Sequence, residues 1–125
     1  MKIDFESDEA IYIQLRNQII IGIATDRIRE GDSLPSVRQL AENIGINMHT
    51  VNKAYSVLRQ EGFIKLDRRR GAVISLDIDK IRAIEELKGD LSVLLARGIC
   101  KDISREEAHG LVDEIYDYYT RRCGE

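Results

Sequence analysis

Between Gly31 and Ile74 two short helical patterns, separated by a glycine turn, are followed by two apolar strand patterns with Arg68, Arg69 and Arg70 between them. Few folds accommodate that order of parts. Two helices joined by a glycine-containing turn and followed by a hairpin read as a winged helix-turn-helix. The fold class expected is therefore mainly α: three helices plus a two-stranded wing, followed by a two-helix C-terminal hairpin.

Each boundary has a local cause. Ser36 is placed to cap a helix, with Gln39 three residues on to return the bond as a capping box. Val37, Leu40, Ala41 and Ile44 recur at three and four residues, and Gly45 supplies the left-handed residue that stops the helix. Asn47 is a good cap for the next helix, whose stripe of Val51, Ala54, Tyr55 and Leu58 runs until Gly62. At roughly 100° per residue, His49, Lys53 and Ser56 fall opposite that stripe, with Asn52 on the flank and Asn47 and Thr50 at the N-terminal end. Such groups can bond to base edges or phosphates, which suits a major groove.

Residues 63–66 and 72–76 read as strands, leaving Asp67 to Gly71 as the connection. Three guanidinium groups on a loop cannot serve a core. Phosphate is their natural partner, because arginine donates to it bidentately and releases counterions on binding. Double-stranded DNA is thus the expected partner. The rival from another class is a winged-helix protein-interaction adaptor without DNA binding, since fold alone does not fix function.

The run Gly31-Asp32-Ser33-Leu34-Pro35-Ser36-Val37-Arg38-Gln39-Leu40-Ala41, with Ile46 to Tyr55 and Leu58 to Ile64, resembles the DNA-binding domain of the GntR family of bacterial transcription regulators. Upstream, Ile11-Tyr12-Ile13-Gln14-Leu15 resembles the start of that family's first helix. The resemblance implies that Arg38, Asn47, His49, Thr50 and Asn52 sit where family members touch DNA, and from their chemistry they are expected to set sequence choice. It places Arg68, Arg69, Arg70 and Gly71 at the wing tip. The arginines and Lys53 are assigned mostly to the DNA backbone, with Arg70 within reach of the minor groove. Met48 stands where the family often has a basic residue, and Arg69-Arg70-Gly71 where it often has Gly-x-Gly.

Charge is distributed to match. The chain of 125 residues carries a net charge of −3, divided as −3 over residues 1–35, +4 over 36–76 and −4 over 77–125. Basic charge sits on the segment expected to meet DNA. The first 35 residues contain a further helix, with Ser7 or Asp8 as its expected cap and Ile11, Leu15, Ile19, Ile20 and Ile23 as its buried stripe. It is expected to pack across the next two helices, and Ile21 hints at a second contact surface.

Other classes find no support. No uncharged apolar stretch reaches the ~18 residues of a membrane span, and the acidic start lacks a signal peptide's apolar run, so a cytoplasmic protein is expected. Cys100 and Cys123 are far apart and without clustered histidines, which reads as reduced thiols and not a metal site. No nucleophile elbow or phosphate-binding loop is present, so neither an enzyme nor a cofactor is expected.

The last 49 residues, 77–125, are read as a dimerisation region after a DNA-binding domain at 1–76. Ile78, Ile81, Ile84, Leu87, Leu91 and Leu94/Leu95 form one stripe, with a Schellman stop expected at Gly98-Ile99. Ser104 and Glu107 form a capping box for a final helix striped by Ala108, Leu111, Val112, Ile115 and Tyr119. A hairpin alone buries little, so Ile84, Leu87, Leu91, Leu94, Leu111 and Ile115 are expected to meet a second copy in a homodimer. This short region resembles the YtrA subfamily, often associated with transporter operons. The resemblance implies a regulator of that kind of operon, and the two-fold symmetry of a dimer makes an inverted-repeat operator, shielded by a repressor through occupancy, the expected site. Any small-molecule effector is unknown, and Tyr116, Tyr118 and Tyr119 are read as packing.

Overall fold

The computed structural model describes residues 2–123, with side chains as far as Thr120, so the Cys123 thiol lies outside the described residues. Two compact units follow one another along the chain, Met1–Asp77 and Ile78–Glu125. The first holds helices α1 (Ile11–Ala24), α2 (Val37–Ile44) and α3 (Met48–Gln60) and strands β1 (Ile64–Asp67) and β2 (Gly71–Ile74). The second holds α4 (Lys80–Cys100) and α5 (Arg105–Cys123). The class is mainly α, with a winged helix-turn-helix in the first unit.

The helix pair is set by its caps. Ser36 Oγ accepts from the Gln39 amide at 3.1 Å, the first half of the expected box. Gly45, at φ 80°, ends α2 while its own amide and that of Ile46 donate to the Ala41 carbonyl at 2.8 and 3.0 Å. Two residues later Asn47 Oδ1 accepts from the His49 amide at 2.7 Å and starts α3. The turn is tight because one left-handed residue and one cap suffice to make it.

Helix α3 is central, packed against α1, α2 and β1. Leu15 and Ile19 of α1, Leu40 and Ala41 of α2, Val51, Ala54 and Leu58 of α3, and Ile64, Ala72 and Ile74 of the sheet share one buried cluster. Leu15, Ile19, Val51 and Leu58 are wholly buried. Truncating such a leucine to alanine costs about 2–5 kcal/mol, so these residues hold α3 against its neighbours.

The start of α1 differs from expectation. Neither Ser7 nor Asp8 caps it: the helix begins after Ala10, which makes no side-chain cap, and Ser7 Oγ accepts from the Glu9 amide at 3.1 Å instead. Buried Gln14 supplies the missing anchor from inside the helix. Its Oε1 accepts from the Asp4 amide at 2.8 Å, while its Nε2 donates to the carbonyls of Asp4 and Glu9, each at 2.9 Å. Gln18, one turn further on, likewise accepts from the Lys2 amide and donates to its carbonyl, so two side-chain amides fasten the leading segment to α1.

The wing is an antiparallel pair in which Ile64 faces Ile74 and Asp67 faces Gly71. Both strands are displaced toward the turn: β1 starts after Phe63 and takes in Asp67, and β2 takes in Gly71 and stops before Ser75 and Leu76, so the expected connection shrinks to Arg68, Arg69 and Arg70. A third segment joins it. Ser33 bridges Val73, the Leu34 amide donates to the Ala72 carbonyl at 2.8 Å, and the Ile74 amide donates to Asp32 at 2.9 Å. Residues 32–34 thus cover the free edge of β2, which leaves less of it to pair with other chains.

In the second unit Asp79 caps α4 by accepting from the Arg82 amide at 3.2 Å. The stop expected at Gly98-Ile99 falls later. Helix α4 runs to Cys100, Asp102 takes the left-handed conformation at φ 64°, and the Ile103 amide returns to the Gly98 carbonyl at 2.9 Å. This is a Schellman motif with aspartate in the place usual for glycine, a residue type that visits that region. Ser104 and Glu107 then form both halves of the capping box, at 2.9 and 3.1 Å. Helix α4 contributes no buried residue, and Ile84, Leu87, Leu91, Leu94, Leu111 and Ile115 are all exposed, Leu91 least of the six at 37%.

Candidate nucleic-acid interface

One side of α3 is buried through Val51, Ala54, Tyr55 and Leu58, so the opposite side is left to solvent. Asn47, His49, Asn52, Lys53 and Ser56 are exposed there, and Thr50 is half-buried. The Tyr55 hydroxyl donates to the Pro35 carbonyl at 2.8 Å, and burial pushes its pKa up to about 12. It is therefore a neutral donor throughout the physiological range.

An open concavity of about 630 Å³ is lined by Val37, Asn47, Met48, His49 and Asn52. The first residues of α2 and α3 thus border one space. Asn47 spends its oxygen on the helix cap, which leaves the Nδ2 donors for an outside acceptor. Arg38 is exposed beside Val37 in sequence but does not line the concavity. Lys53 is drawn to α1: its Nζ lies 4.1 Å from the centroid of the Tyr12 ring, a cation–π contact that steadies the ammonium group.

The wing turn is organised by Asp67. Its Oδ1 accepts from the amides of Arg69 and Arg70 at 2.8 and 3.1 Å, and these bonds hold the carboxyl below the usual carboxylate range. Gly71, at φ 74°, closes the turn in a conformation that favours glycine. Arg68, Arg69 and Arg70 are all exposed, but the Arg70 guanidinium donates to the Gly31 carbonyl. The wing arginines therefore differ: Arg70 is tied to the segment that covers β2, and Arg68 and Arg69 are the more available for an anion.

Val37 and Met48 line the concavity although the sequence marks Val37 as a core-stripe position and Met48 only as a departure from the family pattern. The spacing of Met48 and Asn52, four apart on one helix face, was the available signal. The Lys53–Tyr12 and Arg70–Gly31 contacts join residues distant in sequence and leave no local mark.

A polar helix face beside an arginine-bearing wing is the architecture of a DNA-binding regulator. Residues 8–74 match the profile of bacterial regulatory proteins of the gntR family. Over 119 residues the chain is 34% identical to the HTH-type transcriptional repressor YtrA of Bacillus subtilis (strain 168), spanning 92% of this chain and 91% of that protein. It is similar to the structure of YtrA from Sulfolobus acidocaldarius, a GntR-family transcription factor, with 37% identity, a TM-score of 0.59 and coverage of 94% and 97%. It also resembles a transcriptional antiterminator from Listeria monocytogenes EGD-e, with 27% identity, a TM-score of 0.84 and coverage of 100% and 93%. The chain belongs to the GntR family, in its YtrA-like subfamily, and is a DNA-binding transcriptional regulator.

Proposed function

We propose that the protein is a homodimeric, non-enzymatic repressor that works in the cytoplasm by occupying an inverted-repeat operator, with transporter genes as the target class. Residues 1–76 read DNA and residues 77–125 make the dimer. The observation that carries this reading is the uncovered apolar stripe of the second unit, from Ile84 to Leu94 on α4 and through Leu111 and Ile115 on α5. Apolar burial is worth about 25 cal/mol per Å², so a stripe of this length favours a partner. A second copy brings an identical stripe, and two-fold pairing satisfies both at once.

Within each half-site Arg38, Asn47, His49, Thr50 and Asn52 select sequence, while Lys53, Arg68, Arg69 and Arg70 hold the backbone around the Gly71 turn. A two-fold dimer presents its two α3 helices in opposite directions, which makes the operator an inverted repeat with half-sites about one helical turn apart or a multiple of it. The repressor role named for the Bacillus relative supports control by occupancy. The test is a footprint on DNA upstream of its own gene, repeated with about five base pairs inserted at the site's centre. That insertion turns one half-site to the opposite face of the duplex. Strongly reduced affinity is expected, and undiminished affinity would contradict a two-fold reader.

A further inference from the structure

Met48, the first residue of α3, is 44% exposed and is neither in the buried core nor among the apolar residues packed against it. Its apolar chain is therefore not explained by folding. It lines the concavity with Val37, the first residue of α2, among the hydrogen-bonding side chains of Asn47, His49 and Asn52. Val37 does pack against the core, so it gives the apolar patch a fixed floor while Met48 remains adjustable. An unbranched thioether with three rotatable bonds adapts to an irregular apolar contact.

The chemistry of the groove names what fits there. Asparagine pairs bidentately with adenine N6 and N7, and the apolar group that a base pair displays in the major groove is the C5-methyl of thymine. Met48 and Asn52 are four residues apart and share a helix face, so they address the same short stretch of base edges. We propose that Met48, backed by Val37, is a specificity-determining residue that seats a thymine methyl beside the base met by Asn52. This rests on the reading of α3 as the major-groove helix. A basic side chain at this position would favour guanine O6 and N7; a methionine shifts the preference of that position toward thymine.

The experiment uses the full chain and duplexes enriched by it from a random-sequence library. Each thymine of the enriched half-site is replaced by deoxyuridine, which removes only the methyl. Wild type is expected to weaken about fourfold per half-site at one thymine, the loss of one buried methyl. Met48→Ala should bind the thymine duplex more weakly and lose the difference between thymine and uracil, while Met48→Leu should keep it. Met48 is exposed, and an unchanged thermal melt confirms that the alanine variant is folded. The proposal is overturned if no uracil replacement weakens wild type, or if Met48→Ala keeps the wild-type thymine-to-uracil ratio. Binding without any enriched sequence would overturn the reading of α3 itself, and the methyl seat with it.

Discussion

The Tyr55 hydroxyl of α3 donates to the carbonyl of Pro35, the residue before the α2 cap, at 2.8 Å. The bond spans the helix-turn-helix from the buried side. It links the rotation of α3 to the start of α2, and hence sets Asn52 and Met48 against Val37 across the concavity.

Tyr55→Phe removes that bond and should cost about 1 kcal/mol at neutral pH. Its pH dependence follows from the pKa of about 12, above the ordinary 10.0. The folded state favours the neutral phenol, so its contribution is whole below about pH 10 and is lost as pH rises toward 12. Urea melts across that window should show wild type losing on the order of 2 kcal/mol more than Tyr55→Phe. Parallel losses in both proteins would remove Tyr55 as the cause.

Gly45 and Gly62 have similar backbone angles, φ 80° and 83°, but different surroundings. A Cβ at Gly45 meets nothing within 4 Å, whereas one at Gly62 falls 2.9 Å from Asp77 Cβ. Gly45→Ala should therefore cost only the left-handed strain, about 1–2 kcal/mol, and Gly62→Ala should cost more. Equal losses in chemical denaturation would contradict the close approach of Asp77.

Asn52→Ala and Arg69→Ala should fail differently. The first is expected to lose about 1–3 kcal/mol on the operator and to relax preference at one position, whereas the second should weaken all duplexes alike. Affinities for a panel of single-base operator variants read the difference. The same change of preference in both would end the division between base and backbone contacts.

Leu91→Asp and Ile115→Asp each place a charge within the exposed stripes of α4 and α5. Burying an unpaired carboxylate is unfavourable, so both variants should sediment as monomers. Because these side chains support no core in their own chain, circular dichroism should remain helical. An unchanged dimer in both variants would reject the α4–α5 interface.

The helix pair was legible because its signals are local: Ser36, Gly45 and Asn47 each act on a backbone within four residues. The Ser104–Glu107 box was legible for the same reason. What escaped depends on partners far along the chain. Gln14 fastens Asp4 from ten residues away, and Ser33 pairs with Val73 only once the wing is folded. Asp102 escaped differently, since a glycine at position 98 suggested an earlier stop than the one aspartate makes. At the interface, Asn52 and His49 followed from helical phase, but the role of Met48 needed Val37 from another helix to define a shared space.

The central claim is that α3 and the wing form a DNA-binding surface, and salt dependence tests it most directly. Wild type and Arg68→Ala/Arg69→Ala are titrated onto the same duplex over a range of salt concentrations. Wild-type affinity should fall linearly on logarithmic axes, and the double variant's slope should be shallower by about two, the release of roughly one counterion per lost phosphate contact. An affinity independent of salt, or identical slopes for the two proteins, would contradict the account and return the protein to the adaptor reading.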